Sequence, residues 1–145
     1  MNGASTTTSE TGTRSKAANI ALWVFQIALA ALFIINFGPG KLLGSDQAVQ
    51  TFTEIGAGQW LRYVTGALEV AGGIGLLIPR LSGLAALGLA GVMSGAVLTE
   101  LILLDADVVM PLILLVSVAV IAWFRRDRTR ALIQQVRTMR APAER

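Results

Sequence analysis

The sequence contains no cysteine and no histidine. Without cysteine the chain can form no disulfides and has no thiol redox chemistry. The absence of histidine excludes haem ligation through histidine, and the absence of both residue types excludes nearly all zinc sites. Charge is also scarce, since charged residues make up 14% of the chain against about 25% in a typical soluble domain. The composition therefore argues against a soluble enzyme.

Long apolar runs take the place of these residues. Hydrophobic residues make up 54% of the 145 residues, and the mean hydropathy is +0.65. A helix needs roughly 17–25 apolar residues to cross the bilayer core, so the sequence predicts four spans, at about 18–37, 61–78, 82–104 and 108–124. The predicted fold class is all-α: a polytopic membrane protein with a four-transmembrane-helix up-down bundle over residues 17–124, which leaves no room for a soluble catalytic domain.

Basic residues gather on one side of the predicted bundle. Only Lys41 and Arg62 fall on the other side. Positive charge collects on the cytoplasmic side of membrane proteins, so both termini are predicted to be cytoplasmic. The ten basic residues on that side are Arg14, Lys16, Arg80, Arg125, Arg126, Arg128, Arg130, Arg137, Arg140 and Arg145.

The segments outside the spans carry further predictions. Residues 1–16 are rich in Ser, Thr and Gly and predict a disordered N-terminal tail. Residues 125–145 predict a basic cytoplasmic tail that either binds lipid head groups or only fixes the topology. Apolar residues at helical spacing in the first loop predict a short outer amphipathic helix over about 46–56. The sequence "GPG" at 38–40 is expected to end the first helix.

Two of the predicted helices carry stripes of small residues. Small residues let helix backbones approach closely in a bilayer, so both stripes predict helix interfaces. The helix that packs on each stripe could belong to the same bundle, to a partner protein or to a second copy of the chain. The bilayer itself is a predicted partner, and we expect no nucleic acid. The third helix carries Gly88, Gly91, Gly95 and Thr99 on one face, and the second carries Arg62, Gly66, Glu69 and Gly73.

Glu69 lies in the middle of the second apolar run. Carboxylates inside a membrane are costly and usually functional, so Glu69 is the leading site residue. Three interpretations remain open: an ion pair with Lys41 or Arg62, a protonated carboxyl that donates a hydrogen bond, or the wall of a polar cavity that handles a ligand or a proton. Thr65, one turn before Glu69, is near enough to hydrogen-bond it.

The other candidate polar residues lie in the same outer half of the predicted bundle. They are Asn36, Thr99 and Glu100, and Glu100 is close enough to the end of its helix to be interfacial or solvated. The inner half offers Gln26 and little else. The polar site is therefore expected near the outer face.

Several short motifs resemble the DoxX family of small bacterial membrane proteins. The sequence "FGPGKLL" closes the first helix, and "GALEVAGG" forms the core of the second. The third helix contains "MSGAVLT", in which Met93, Ala96 and Thr99 recur at family-type spacing. The resemblance covers about residues 20–124, and the order of the motifs carries it more than any one of them.

The resemblance implies a multi-pass protein of the bacterial plasma membrane in which Lys41 and Glu69 are the family-type polar positions. Members often have a histidine where the third helix ends, and this chain has Thr99 and Glu100 there. The family takes its name from a subunit of a thiosulfate:quinone oxidoreductase. Quinone, or a membrane redox complex, is therefore the cofactor or partner that the resemblance implies, and no metal site is predicted.

Three functions remain open at this stage. The leading one is an accessory subunit of a membrane complex, linked to quinone or redox chemistry. The second is an enzyme that binds quinone or another lipophile between the helices, with Glu69 as proton donor or acceptor and Lys41 stabilising an oxyanion. The third is a transporter of a small solute or of protons, which the bare inner half and the lack of duplicated broken helices disfavour.

Overall fold

The computed structural model describes residues 8–104 and 107–140, and the side chains of 16–104 and 107–139. Within these residues the regular structure is entirely helical, as predicted, with no strand. The remaining residues, which belong to the predicted tails and the second outer loop, lie outside the described part. The α-helices are α1 (Thr8–Ala31), α2 (Gly38–Leu43), α3 (Asp46–Ile55), α4 (Gln59–Leu77), α5 (Ser82–Thr99), α6 (Val109–Phe124) and α7 (Arg126–Arg140).

Two π-helical segments interrupt this pattern. Leu32–Phe37 joins α1 to α2, and Glu100–Leu104 extends α5. At its other end α1 includes residues 8–16, which the sequence assigns to the N-terminal tail.

Two helical stretches in the described chain are long and apolar enough to cross a bilayer. They are Lys16–Leu43, of 28 residues, and Ser82–Leu104, of 23 residues. A third candidate arises if α6 and α7, which are bent by 62° relative to each other, are counted as one broken span. These lengths and compositions support a membrane protein with two to three candidate spans.

The sequence predicts that the first apolar helix ends at Gly38–Gly40, and this prediction is wrong. The helix passes through the π-helical turn Leu32–Phe37 into α2, and Pro39 lies in the first turn of α2. Pro39 has no N–H group to donate to the preceding turn, and the π-helical turn lies directly before it, where the regular α-helical bonding is interrupted. The helix ends at Gly44, whose φ of 76° gives the left-handed conformation of a helix C-cap. Lys41 therefore lies on a helix, not in a loop.

The core lies where α1, α4, α5 and α6 meet. Helix α4 packs against α1, α2 and α5, and α6 packs against α5. The outward side chains are also largely apolar, as expected for helices that face lipid. The buried cluster consists of Leu29, Ala30, Phe33, Leu76, Ala86, Leu89, Met93, Leu114, Val118, Ile121 and Ala122.

The two glycine stripes differ in what they face. On α4, Gly73 lies against the backbone of Ala30 and the side chain of Phe33, so this stripe is a helix interface. On α5, a Cβ atom added at Gly88, Gly91 or Gly95 would meet nothing within 4 Å. The three glycines of the α5 stripe therefore face open space within the described part of the chain.

Helix α3 covers the end of the bundle that carries Lys41. Its N-cap is Ser45, whose hydroxyl accepts the N–H of Ala48 at 3.4 Å. Phe52 is buried, and α3 packs against α4 and the π-helical segment Glu100–Leu104. This is the segment for which apolar periodicity predicts a short helix.

Candidate functional site

An ion pair between Lys41 and Glu69 joins α2 to α4. The Nζ atom of Lys41 lies 2.9 Å from both carboxylate oxygens of Glu69. The side chain of Glu69 is 1% exposed and that of Lys41 is 22% exposed. Of the interpretations left open by the sequence, this geometry is that of the ion pair, with Lys41 as the partner.

Close backbone packing brings the two charges together. Gly66 lies one turn before Glu69, and a Cβ atom there would come within 3.0 Å of the Gly38 carbonyl oxygen and of the Lys41 Cβ. Only a glycine leaves room for α2 at this distance. The small residue in α4 is thus what allows the lysine of α2 to reach the carboxylate.

Arg62 does not pair with Glu69, the alternative that the sequence left open. Its Nη1 atom donates to the carbonyl oxygen of Lys41, and its Nε atom donates to Oε1 of Gln59 at 2.7 Å. The guanidinium also stacks on Tyr63, with Cζ 4.3 Å from the ring centroid. Carbonyls in the last turn of a helix lack helical partners, so Arg62, which is 5% exposed, caps α2 and fixes the backbone that carries Lys41.

The other predicted site residues do not join the pair. The Thr65 hydroxyl donates to the carbonyl of Leu61 at 2.7 Å, not to Glu69. The Thr99 hydroxyl donates to the carbonyl of Gly95 at 2.8 Å. Such bonds to the preceding turn satisfy a hydroxyl within its own helix, which is why neither threonine reaches across to the carboxylate.

Asn36 and Glu100 also stay apart from it. Asn36 is exposed on the π-helical turn. Glu100 is half-buried, and its Oε2 atom is buried without a hydrogen-bond partner among the described residues. The structure therefore brings together Lys41, Glu69 and Arg62 out of the predicted set.

Lys41 retains some capacity to interact beyond this pair. An ammonium group has three donors, and two of them are directed at Glu69. Its Nζ atom lies 5.8 Å from the ring centroid of Phe37, which provides a cation–π contact. The pair can thus hold two helices together, and its partly exposed ammonium can polarise an acceptor oxygen.

A second buried polar cluster at the opposite end of the bundle was not predicted. Gln26, fully buried, donates to the carbonyl of Leu76 and accepts from Nε of Arg125 at 3.2 Å. Arg125 also donates to Oδ1 of Asn19 at 3.3 Å and lies over the Trp23 ring at 5.1 Å. The sequence signal was the isolated Gln26 in the inner half, but its partner lies 99 residues away.

This second cluster is not fully satisfied. Arg125 is 4% exposed and Thr129 is 9% exposed. The Nη2 atom of Arg125 and the hydroxyl of Thr129 are buried without a partner in the described chain. No carboxylate lies within salt-bridge distance of Arg125 among the described side chains.

Comparison with known proteins identifies the family. A model of the DoxX-like family matches residues 24–130, a region that includes Lys41, Glu69 and Arg62 and, from the second cluster, Gln26 and Arg125. Searches of curated proteins and of solved structures found no significant match. The family model covers well over half of the chain, and its match agrees with the motifs around Lys41 and Glu69. The chain belongs to the DoxX-like family.

Proposed function

We propose that the protein is an accessory, non-catalytic subunit of a membrane complex in the bacterial plasma membrane. The observation that carries the proposal is the open α5 face, where Gly88, Gly91 and Gly95 have free space in front of them. Glycine faces of this kind allow close helix–helix contact in a bilayer. A partner helix, from another protein or from a second copy, is the occupant that fits this face. Quinone-linked redox chemistry would belong to the complex.

The state of the Lys41–Glu69 pair supports a structural role for it within the subunit. Both carboxylate oxygens already accept from Lys41, and Glu69 is almost completely buried. A carboxylate that is satisfied within its own chain is not poised to take a substrate proton. The ion pair holds α2 against α4.

The subunit would cross the membrane four times, with both termini on the cytoplasmic side. A turn of only a few residues joins α4 to α5, and the two helices pack side by side. If α5 spans the bilayer, its neighbour α4 crosses too, since 19 residues extend about 28 Å. Helix α6 would be the fourth span, as its 16 residues reach about 24 Å.

Cross-linking tests the partner proposal. The chain has no cysteine, so Gly91→Cys introduces a single thiol on the open face, and Ala119→Cys places a control thiol at an exposed position on α6. A maleimide–benzophenone cross-linker attached to the thiol and activated by light in native membranes inserts into C–H bonds of any neighbouring chain, so it is expected to link position 91 into an adduct and to leave the position-119 variant unlinked. An adduct of twice the mass indicates a second copy, and any other mass indicates a different partner. Equal or absent cross-linking at both positions, with a monomer after mild detergent extraction, would reject the proposal.

Single cysteines also test the topology. An impermeant maleimide applied to whole cells should label Thr53→Cys in α3 and should not label Thr138→Cys in α7 until the cells are opened. Labelling of both positions from outside would rule out the proposed orientation.

A second candidate function is the binding of quinone or another lipophile with an oxygen acceptor, by Lys41 and Glu69. It is favoured by the partial exposure of Lys41 and by its third ammonium donor, which Glu69 does not use. Quinone binding to the reconstituted protein should then be lost in Lys41→Gln and Glu69→Gln and retained in Asp46→Asn, an exposed carboxylate variant. Unchanged binding in the first two variants would dismiss this candidate.

A further inference from the structure

A groove with two arginines lies between the α4–α5 turn and α7. We call it the Arg80–Arg128 groove. It has a volume of about 280 Å³, enough for about nine water molecules at roughly 30 Å³ each. One wall is the turn, which Nη1 of Arg128 ties to α7 through a 3.0 Å bond to the carbonyl of Pro79. The lining residues are Pro79, Arg80, Arg128, Ala131, Leu132 and Gln135.

Two tryptophans place this groove at the level of a membrane–water interface. Trp23 stacks under Arg125, at 5.1 Å, and Trp123 stacks under Arg126, at 4.6 Å. Tryptophan is enriched at the head-group level of a bilayer. Arg128 lies less than one helical turn beyond these two arginines, so the groove is at the depth of the lipid phosphates.

No described carboxylate neutralises the charge in the groove. Among the described side chains, neither Arg80 nor Arg128 lies within salt-bridge distance of a carboxylate. Arg128 uses one guanidinium nitrogen on Pro79, and a guanidinium has five N–H donors in a planar fork that matches the oxygens of a phosphate. The groove therefore has hydrogen-bond donors and positive charge available to bind an anion.

The residues around the groove are apolar, as the acyl chains of a lipid would require. Ala131 and Leu132 give it an apolar floor next to the two arginines. Beyond it, Ile133, Val136 and Met139 of α7 are 48%, 56% and 70% exposed. A basic helix with an exposed apolar side, bent by 62° from the preceding helix, has the character of a helix that lies in the membrane surface.

We propose that the Arg80–Arg128 groove binds the phosphate of an anionic phospholipid. Arg80 and Arg128 hold the phosphate oxygens, and Leu132 contacts the apolar part of the lipid below the head group. Bound lipid bridges the α4–α5 turn and α7 and fixes the angle at which α7 leaves α6. This inference does not depend on the accessory role proposed above.

The sharpest test exploits two neighbouring glutamines of α7. Gln135 lines the groove, and its neighbour Gln134, which is also exposed, does not. Native mass spectrometry of the full chain in detergent would follow retention of phosphatidylglycerol against phosphatidylcholine. Gln135→Glu should weaken phosphatidylglycerol binding severalfold, because it puts a negative charge beside the phosphate, while Gln134→Glu should leave it nearly unchanged. Equal effects of the two variants would overturn the proposal.

Two double variants, which each remove two positive charges, test the role of the groove arginines. Arg80→Gln with Arg128→Gln should weaken phosphatidylglycerol binding by about fivefold for each arginine removed. Arg130→Gln with Arg137→Gln removes the same charge from α7 outside the groove and should have little effect. An equal loss in both double variants would mean general attraction to the basic helix, with no site.

A competition experiment separates a lipid site from a site for free phosphate. Inorganic phosphate added in large excess should not displace phosphatidylglycerol, because it lacks the apolar contact with Leu132. Displacement at concentrations comparable to the lipid would overturn the lipid assignment. Circular dichroism of each variant confirms that a loss of binding is not a loss of helix.

Discussion

The two ends of the bundle handle buried charge in different ways. At the α3 end, Lys41 meets a carboxylate, and the two charges cancel at a distance of 2.9 Å. At the α7 end, Arg125 is buried against two amides and a tryptophan ring, with no carboxylate in salt-bridge distance among the described side chains. One end is therefore held by a neutral pair, and the other by a cation solvated by dipoles.

This difference has consequences for what each end tolerates. Removal of one partner from a buried ion pair leaves an uncompensated charge, which is far more costly than removal of both. A cation held by amides leaves only neutral groups behind when it is removed. The α3 end should accordingly be the more sensitive to single substitutions and the more tolerant of a matched double substitution.

The largest effect is expected from Lys41→Met, which leaves Glu69 buried without a counter-charge. Thermal and denaturant unfolding in detergent, followed by tryptophan fluorescence, should show a loss of about 3–5 kcal/mol. Glu69→Gln should cost less, because Lys41 is 22% exposed and can turn toward water. The double variant Lys41→Met, Glu69→Leu should recover most of the loss. A Glu69→Gln variant less stable than Lys41→Met would contradict this account.

The next effect concerns Arg125 at the other end. Arg125→Met removes the bonds to Gln26 and Asn19 but also the desolvated charge, so the expected loss of stability is about 1–2 kcal/mol. Arg126→Met, which removes an exposed arginine stacked on Trp123, serves as the control and should change stability by about 0.5 kcal/mol or less. The comparison between the two ends would fail if Arg125→Met cost as much as Lys41→Met.

A glycine at each end offers a third comparison. Gly66→Ala would press on Lys41 at the α3 end, and Gly83→Ala would come within 2.9 Å of the Arg125 carbonyl at the α7 end. Each is expected to cost about 1–3 kcal/mol through overpacking. Gly91→Ala has free space in front of it and should be neutral or slightly stabilising. If all three variants behaved alike in unfolding experiments, close packing would not be what positions either cluster.

The smallest effects are expected at the starts of α3 and α6, which lie at the α3 end of the bundle. Asp107 precedes Val108, the N-cap of α6, and accepts the N–H of Val109 at 2.9 Å. Loss of this local hydrogen bond in Asp107→Ala should cost about 1 kcal/mol. Ser45→Ala should cost less, because the bond from Ala48 to Ser45 is longer, at 3.4 Å. Unfolding midpoints measured side by side would check this order, and a larger loss for Ser45→Ala would reverse it.

Part of this arrangement can be predicted from the sequence. Apolar runs without strand periodicity indicate helices, and the spacing of Gly66, Glu69 and Gly73 indicates that the carboxylate lies on a face lined with small residues. The spacing of Ala48, Phe52 and Ile55 after Ser45 likewise predicts a helix where α3 lies. These features depend on local patterns, which a sequence contains directly.

The partners of the buried charges depend on geometry that local patterns do not contain. Lys41 and Arg62 were both candidates for Glu69. Arg62 is predicted on the same helix face as Glu69, whereas the expected break at Gly38–Gly40 means that Lys41 would have to fold back from the end of the first helix. Arg125 contacts Gln26 across 99 residues, a pairing that follows only from how α1 and α6 pack. The α5 stripe shows the converse, since its glycines have a clear pattern and no partner within the described chain.

The π-helical turn at Leu32–Phe37 sets the register of everything that follows it in the first helix. A π-turn holds one more residue than an α-turn, and each residue of an α-helix rotates the chain by about 100°. A shortening of this turn by one residue would restore a regular α-helix and rotate Lys41 by about that angle, away from the carboxylate on α4. The ion pair therefore depends on one extra residue placed a full turn upstream, in a stretch that carries no charge of its own.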